Sequence, residues 1–306
     1  MTAGLTAAQR DAVAFVRGRC RGAALTVDAP ITINFHPDRR VFGGTVIDGL
    51  LADGRFRSQF ETGISNGGLT AFPGGDRDRW EERMFGGAYQ RPGVRAPDRP
   101  KYGALNLWHH DDGAAPRFGS AHLRLRPHVT GWATFTFGDS ARHPTVAGTA
   151  DAFEPVLAAL HAHHGADALT RPRPPGPGRA LDDYVEAQIH GPVRLAGDVE
   201  ALVLDDSFKD SAHATATATA AALLAGRYGI RLEWRVGFRL APRDIPDDFR
   251  GPEVPVLAHA LCAHYGVAVL DPALIGAAAR EPRPWGDPPE VLQLLKYLWH
   301  CLVRFG

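Results

Sequence analysis

Cysteine is scarce in this sequence: the 306 residues hold 3, Cys20, Cys262 and Cys301, far apart and with no CxxC pair. That excludes a disulfide-stapled scaffold or a cysteine-built zinc site, and it fits a compartment where thiols stay reduced. Net charge is missing too. Lys+Arg and Asp+Glu both total 34, so no global field would draw the chain to nucleic acid or an anionic membrane. No apolar stretch approaches the ~18 residues that a membrane span requires. The opening MTAGLTAAQRDAVAFVRG holds no run of signal-peptide type. These absences point to the cytoplasm and to no membrane partner. Also lacking are GxxxxGKS or GxxxxGKT, GxGxxG after a strand and HExxH, so P-loop, Rossmann and zincin chemistry have no carriers.

What is present is a globular composition, 44% hydrophobic and 22% charged, with 34 Gly and 24 Pro, enough for one large or two modest domains. The Thr6 to Gln9 spacing predicts a capping box and a short helix over 6–18, a brace within residues 1–27. Ile31, Ile33 and Phe35 alternate with Thr32, Asn34 and His36, which predicts a half-buried strand with a polar face. Pro37 ends it, leaving His36 and Arg39 at a strand end. Period-two alternation over 102–107, 122–126 and 132–137 adds strands of an antiparallel sheet with one wet face. Thr149 is expected to cap a helix striped by Phe153, Val156, Leu157 and Leu160 and closed by Gly165. RPRPPGPG at 171–178 reads as a loop inside a domain, because strand-like sequence resumes at 185–190 and 201–204. After Ser207 the pattern turns helical, over 212–227, 255–265 and 289–303. The expected fold is α+β, a mixed, mostly antiparallel split sheet in an α+β domain over 28–206, followed by a mainly helical segment over 207–306.

If 185–190 is a strand, Glu186, Gln188 and His190 share one face while Val185, Ala187 and Ile189 face the core. An acid placed on a rigid strand beside a Pro-rich loop is what a catalytic site wants, whereas a plain exposed sheet face is the blander reading. FETGISNGGLTAFPGGD at 60–76 is rich in glycine and small polar groups, which lets a ligand approach the backbone. His109-His110-Asp111-Asp112 reads as a solvated loop, since neighbours on an extended chain point to opposite sides. His161 and His164 fall at a helix C-terminus, where imidazolium suits the dipole, so no metal site is expected. Gly138-Asp139-Ser140 reads as a turn, and His122, Arg124 and Arg126 as solvated strand polarity.

The order of parts adds a resemblance: a strand ending His36…Arg39, a segment with Thr62 and Ser65, then a strand opened by Glu186. It resembles the ADP-ribosyltransferase superfamily, whose members present an Arg or His, then a Ser-Thr-Ser or Tyr element, then a catalytic Glu. EAQIHGPVRLAGDVEALVLD resembles that superfamily's glutamate strand. HPDR, FETGISNGGLTAFPGGDRDRW, RPKYGALNL and TFTFGDS resemble more closely an uncharacterised bacterial family, a domain of unknown function. The transferase resemblance implies NAD as a dinucleotide substrate and transfer of ADP-ribose to an unidentified, even macromolecular, acceptor. It implies Glu186 as the essential carboxylate, Arg39 or His36 on ribose or phosphate, and Thr62, Ser65, Asn66 and Gly67 beside the nicotinamide ribose. Tyr102 would stack on nicotinamide. Tyr184 stands where the superfamily often has an acceptor-contacting Glu or Gln. Gln188 or Asp183 is therefore expected to take part of that role, and NAD hydrolysis stays open. So do a metal-dependent hydrolase built on the His/Asp clusters and a non-catalytic ligand-binding module.

Overall fold

The computed structural model describes residues 4–306 apart from 42, 64–69, 143 and 171–176. The chain opens with α1 (Ala7–Arg19), β1 (Ile31–Phe35), a two-stranded hairpin of β2 (Arg40–Val41) and β3 (Gly44–Thr45), α2 (Val46–Asp53), α3 (Gln59–Thr62) and α4 (Asp76–Phe85). There follow β4 (Lys101–Leu105), β5 (Ala121–Leu125), β6 (Ala133–Phe137), β7 (Ala147–Thr149), α5 (Glu154–His164), β8 (Val185–Ile189), α6 (Leu195–Asp198) and β9 (Val199–Asp205). The rest is α7 (Ser207–Asp210), α8 (Thr215–Tyr228), β10 (Arg231–Arg235), α9 (Glu253–Tyr265), α10 (Pro272–Arg280) and α11 (Pro288–Phe305).

The predicted capping box is present, with the Thr6 hydroxyl accepting from the Gln9 amide and the Gln9 side chain accepting from the Thr6 amide. An 8-stranded sheet runs β10-β9-β5-β1-β4-β8-β6-β7, antiparallel except for the β9/β10 pair. This is the expected α+β class with a mixed, mostly antiparallel sheet. Ile31, Ile33, Phe35, Leu123, Leu105, Ala187 and Phe135 form one sheet face, buried with Ile47 and Leu50 of α2, Phe153, Val156 and Leu160, and Ala221 and Leu224 of α8.

The opposite face is polar but not wet. Register places Thr32 beside Ala104, Asn34 beside His122, Tyr102 and Thr134 beside Gln188, and Ala104 and Thr136 beside Glu186. Thr32 is 1% exposed, Glu186 5%, and Gln188 and Thr134 0%. Polar alternation predicted solvent here; instead the side chains bond to one another beneath a further layer. Helices α1 and α4 supply part of that layer through Ala12, Val16, Phe85 and the following Tyr89, with Phe85 edge-on to His190 at 4.8 Å.

Two further expectations need correction. Thr149 caps no helix: it ends β7, its hydroxyl donating to Asp151 at 2.7 Å, and α5 starts at Glu154 with a proline in its first turn. Nor is the sequence after Ser207 all helical. β10 lies within it and pairs in parallel with β9, from Arg231↔Ala201 to Arg235↔Asp205. RLEWR carries the period-two signal, but long helices on either side obscure it. α9, α10 and α11 bury a separate core that includes Leu257, Leu261, Leu274, Leu298 and Trp299.

Asp205 ties that helical part to the sheet. Fully buried at 0% exposure, its carboxylate accepts from the Ser207 amide at 3.0 Å, the Phe238 amide at 3.1 Å, Arg235 at 2.9 Å and Arg239 at 3.4 Å. Removing it leaves the buried Arg235 guanidinium short of its counter-charge. Asp205→Ala should therefore cost about 3–5 kcal/mol, read as a lower urea midpoint at unchanged slope; a loss below about 1 kcal/mol, no more than an exposed pair contributes, would contradict this anchor role.

Candidate functional site

β1 and β4 pair only at Ile31↔Leu105 and Thr32↔Ala104. Beyond those positions β1 stays with β5 as far as Phe35, and β4 stays with β8 as far as Lys101. The two strands thus part in the middle of the sheet. A cleft of about 240 Å³ opens there, lined by residues 32–36 on one side and 101–103 on the other. Gly103 stands where they separate: a Cβ on it would lie 2.6 Å from the Thr32 carbonyl oxygen, so no other residue fits without a shift. The remaining walls come from Val46 and Leu50 of α2, Thr62 of α3, Arg77 and Trp80 of α4, the turn 115–118, Asp139, and Lys296 of α11.

Glu186 faces this cleft. Its Oε1 accepts from Gln188 Nε2 at 2.9 Å and its Oε2 from the Ser140 amide at 3.3 Å. Burial, followed by the neighbouring Asp139, pushes its carboxyl above the usual range, while Arg77 and the two hydrogen bonds pull the other way. Behind it runs a buried chain of polar groups. Gln188 Nε2 donates to Thr136 at 3.1 Å, Thr134 donates to Gln188 Oε1 at 2.8 Å, and His190 lies 3.0 Å from Thr134 and 2.6 Å from the Tyr89 hydroxyl. Burial pushes the His190 imidazole down to about 3, so it stays neutral and acts as a fixed link.

Positive charge dominates the lining. Arg39, Arg55, Arg57, Arg77, Lys101, Arg117 and Lys296 face three carboxylates, Asp53, Asp139 and Glu186. Several are already paired: Arg55 with Glu61 at 2.6 Å, Arg57 with Asp53, and Arg117 with Asp182. Arg77 differs. It is 7% exposed, its guanidinium lies 4.5 Å from the centre of the Tyr102 ring and 4.9 Å from that of Trp80, and its Nε has no hydrogen-bond partner among the described residues. A desolvated guanidinium clamped by two rings holds a fixed orientation, ready for a bidentate anion. Burial, then nearby Arg117, Arg39 and Arg250, push the Lys296 ammonium down, and burial pushes Lys101 down to about 8.

Of the residues singled out in the sequence, Glu186, His36, Arg39, Thr62 and Tyr102 all line the one cleft. Ser65, Asn66 and Gly67 lie outside the described residues. Burial, helped by Arg39, pushes His36 down to about 3, so its imidazole is neutral. Tyr102 donates its hydroxyl to Glu81 at 2.9 Å, a buried acid itself pushed up to about 7 by desolvation, and Arg77 covers a face of its ring. Gln188 does not reach the cleft. With 0% exposure and all its contacts on Thr134, Thr136 and Glu186, it positions the carboxylate. Sequence reasoning missed Arg77, Lys101, Arg117 and Lys296 altogether and read Asp139 as a turn residue. Asp139 does form that turn, accepting from the Ala141 amide at 2.9 Å, and lines the cleft as well. The His109–Asp112 loop holds Asn106 and Arg179 instead.

The buried chain predicts a pH signature. His190 at about 3 in the fold against 6.5 when unfolded means that the unfolded chain takes a proton first, so its contribution is full above 6.5 and is lost as pH falls toward 3. In urea titrations between about pH 6 and 4.5, wild type should lose about 1.4 kcal/mol per pH unit more than His190→Gln. Parallel slopes would show that this histidine already titrates in the fold.

The chain is 38% identical over 98 residues to "Gene 2 protein" of Mycobacterium phage D29, a match over 31% of this chain and 32% of that protein; the chain thus spans about a third of that relative's length. A family model matches residues 30–169 and 162–305, taking in every strand of the sheet and the helices of the second core. The chain belongs to the DUF3626 family, proteins of unknown function.

Proposed function

We propose that the cleft binds NAD and that the protein breaks its nicotinamide–ribose bond, passing ADP-ribose to an acceptor. The observation that carries this reading is a buried carboxylate, Glu186, on the wall of a cleft whose other charged groups are mostly cationic. A dinucleotide with a diphosphate matches that field, and Arg39, Arg77 and Lys296 are the side chains suited to its oxygens.

As the C1′–N bond breaks, the electron pair leaves with nicotinamide and positive charge develops on the ribose. Glu186 accepts a hydrogen bond from a ribose hydroxyl and stabilises that charge at short range in a water-poor site, where such stabilisation is strongest. Gln188 and the Ser140 amide hold both carboxylate oxygens. An acceptor nucleophile then bonds C1′ and releases its proton. Water as that acceptor is favoured by one observation. Tyr184, at the position two residues before Glu186, is 2% exposed, packs edge-on against Phe118 at 5.7 Å and is not part of the cleft lining, so no acceptor-contacting amide or acid stands there.

The test is incubation with NAD labelled in its adenylate half, following nicotinamide release and protein labelling. Glu186→Gln should lower release by on the order of 10²-fold or more. Wild-type release should also fall on acidification at a pH above the range of an ordinary carboxylate, because burial raises the Glu186 carboxyl and its charged form is the working one. Equal rates in wild type and Glu186→Gln, or no thermal stabilisation by saturating NAD, would end the proposal. Release without labelling of any acceptor would assign hydrolysis.

A further inference from the structure

The last turn of α5 carries His161, His163 and His164, and Gly165 follows with a φ of 92°. Neighbours on a helix ordinarily diverge by about 100°. Here the helix is ending, and the rings of His163 and His164 lie 4.5 Å apart at 87° to each other, turned toward one carboxylate. His163 Nε2 is 3.3 Å from Asp183 Oδ1, and His164 Nε2 is 3.8 Å from Asp183 Oδ2. One ligand-type atom from each residue falls within 4.8 Å of the other two.

We propose that His163, His164 and Asp183 bind one divalent transition-metal ion of the zinc type, with a further coordination position open to water. The distances carry the assignment. A charge-assisted N–H···O bond settles at about 2.7–2.9 Å, shorter than either contact. Ligands held by bonds of about 2.0–2.2 Å in tetrahedral geometry stand roughly 3.3–3.5 Å apart, and the two contacts fall near that separation. The donor set agrees: two imidazoles and one carboxylate suit zinc and its first-row neighbours, whereas calcium and magnesium prefer all-oxygen shells. Aromatic rings flank the two histidines. Trp108 stands edge-on to His164 at 5.8 Å, and Phe137 lies 5.3 Å from His163 and 5.9 Å from His164; such an apolar shell tunes a metal site.

The ion would join two distant stretches of chain, the end of α5 and the lead-in to β8. Asp183 lies three residues before Glu186, and its neighbour Asp182 pairs with Arg142 at 2.8 Å and with Arg117 of the cleft. The site thus fastens the segment that enters the cleft wall, a role independent of which substrate the cleft takes.

The experiment uses the untagged full-length chain, stripped with chelator and titrated with zinc chloride by calorimetry, and with cobalt chloride to read tetrahedral coordination in the visible spectrum. The expected result is one zinc per chain, a rise in melting temperature with zinc, and at least about tenfold weaker binding in His163→Ala and in Asp183→Asn. His161→Ala, the adjacent histidine outside the trio, should bind as wild type does. His163 is exposed, so its truncation leaves packing intact, and circular dichroism of each variant checks the fold. No saturable binding, or zinc binding unaffected by His163→Ala and Asp183→Asn, would reduce the trio to an ion-pair cluster and overturn the assignment.

Discussion

Two backbone pairs hold β1 to β4, and past Thr32 and Ala104 each strand keeps to its outer neighbour. A continuous sheet would leave no room between them, since paired strands stand only about 4.8 Å apart. Because they diverge, the polar side chains of one sheet face and the backbone edges of two central strands border the same hollow. The position of Glu186, the clamp on Arg77 and the reach of Lys296 all follow from that separation. Gly103 marks its starting point, where even a methyl group would meet the Thr32 carbonyl.

The buried polar layer beside the cleft is the second organising feature. Interior hydroxyls, amides and imidazoles stabilise a fold only when partnered, and leaving one unpaired costs about 1–3 kcal/mol. The run Tyr89–His190–Thr134–Gln188–Glu186 partners each member and gives each a single orientation. Such a chain ends in a carboxylate whose direction is fixed before any ligand arrives. Preorganisation of this kind is what makes a charged group effective toward a developing opposite charge.

How much of this was legible beforehand depends on the range of the signal. Thr6 and Gln9 announce a capping box because both partners lie within one helical turn, and Ile31, Ile33 and Phe35 announce a strand because pleating is local. Glu186 could be singled out because alternation gives its face without any knowledge of neighbours. Whether that face meets water was not legible: Thr134, Thr136 and Gln188 alternate identically on a wet sheet and on one roofed by α1 and α4. Lys296 could not be found at all, since nothing in the sequence around it tells which helix face turns toward Pro116 and His36. Arg77 offered a faint cue, its spacing to Trp80 on one helix face, but the ring of Tyr102 on its other side comes from a distant strand. β10 was hidden by context, as five alternating residues between two helical stretches.

The wall contributed by α11 has a consequence for the order in which the molecule comes into being. Trp299 donates its indole N–H to the Pro116 carbonyl at 3.0 Å and stands edge-on to His36 at 5.1 Å, which sets Lys296, one turn earlier, against a hollow framed by strands made long before. Translation from Glu186 to this helix takes on the order of ten seconds, time enough for the early strands to pair on the ribosome. A nascent chain therefore carries its acidic strand with one side of the hollow still missing. The hollow is completed only by a stretch of polypeptide that takes no part in the sheet.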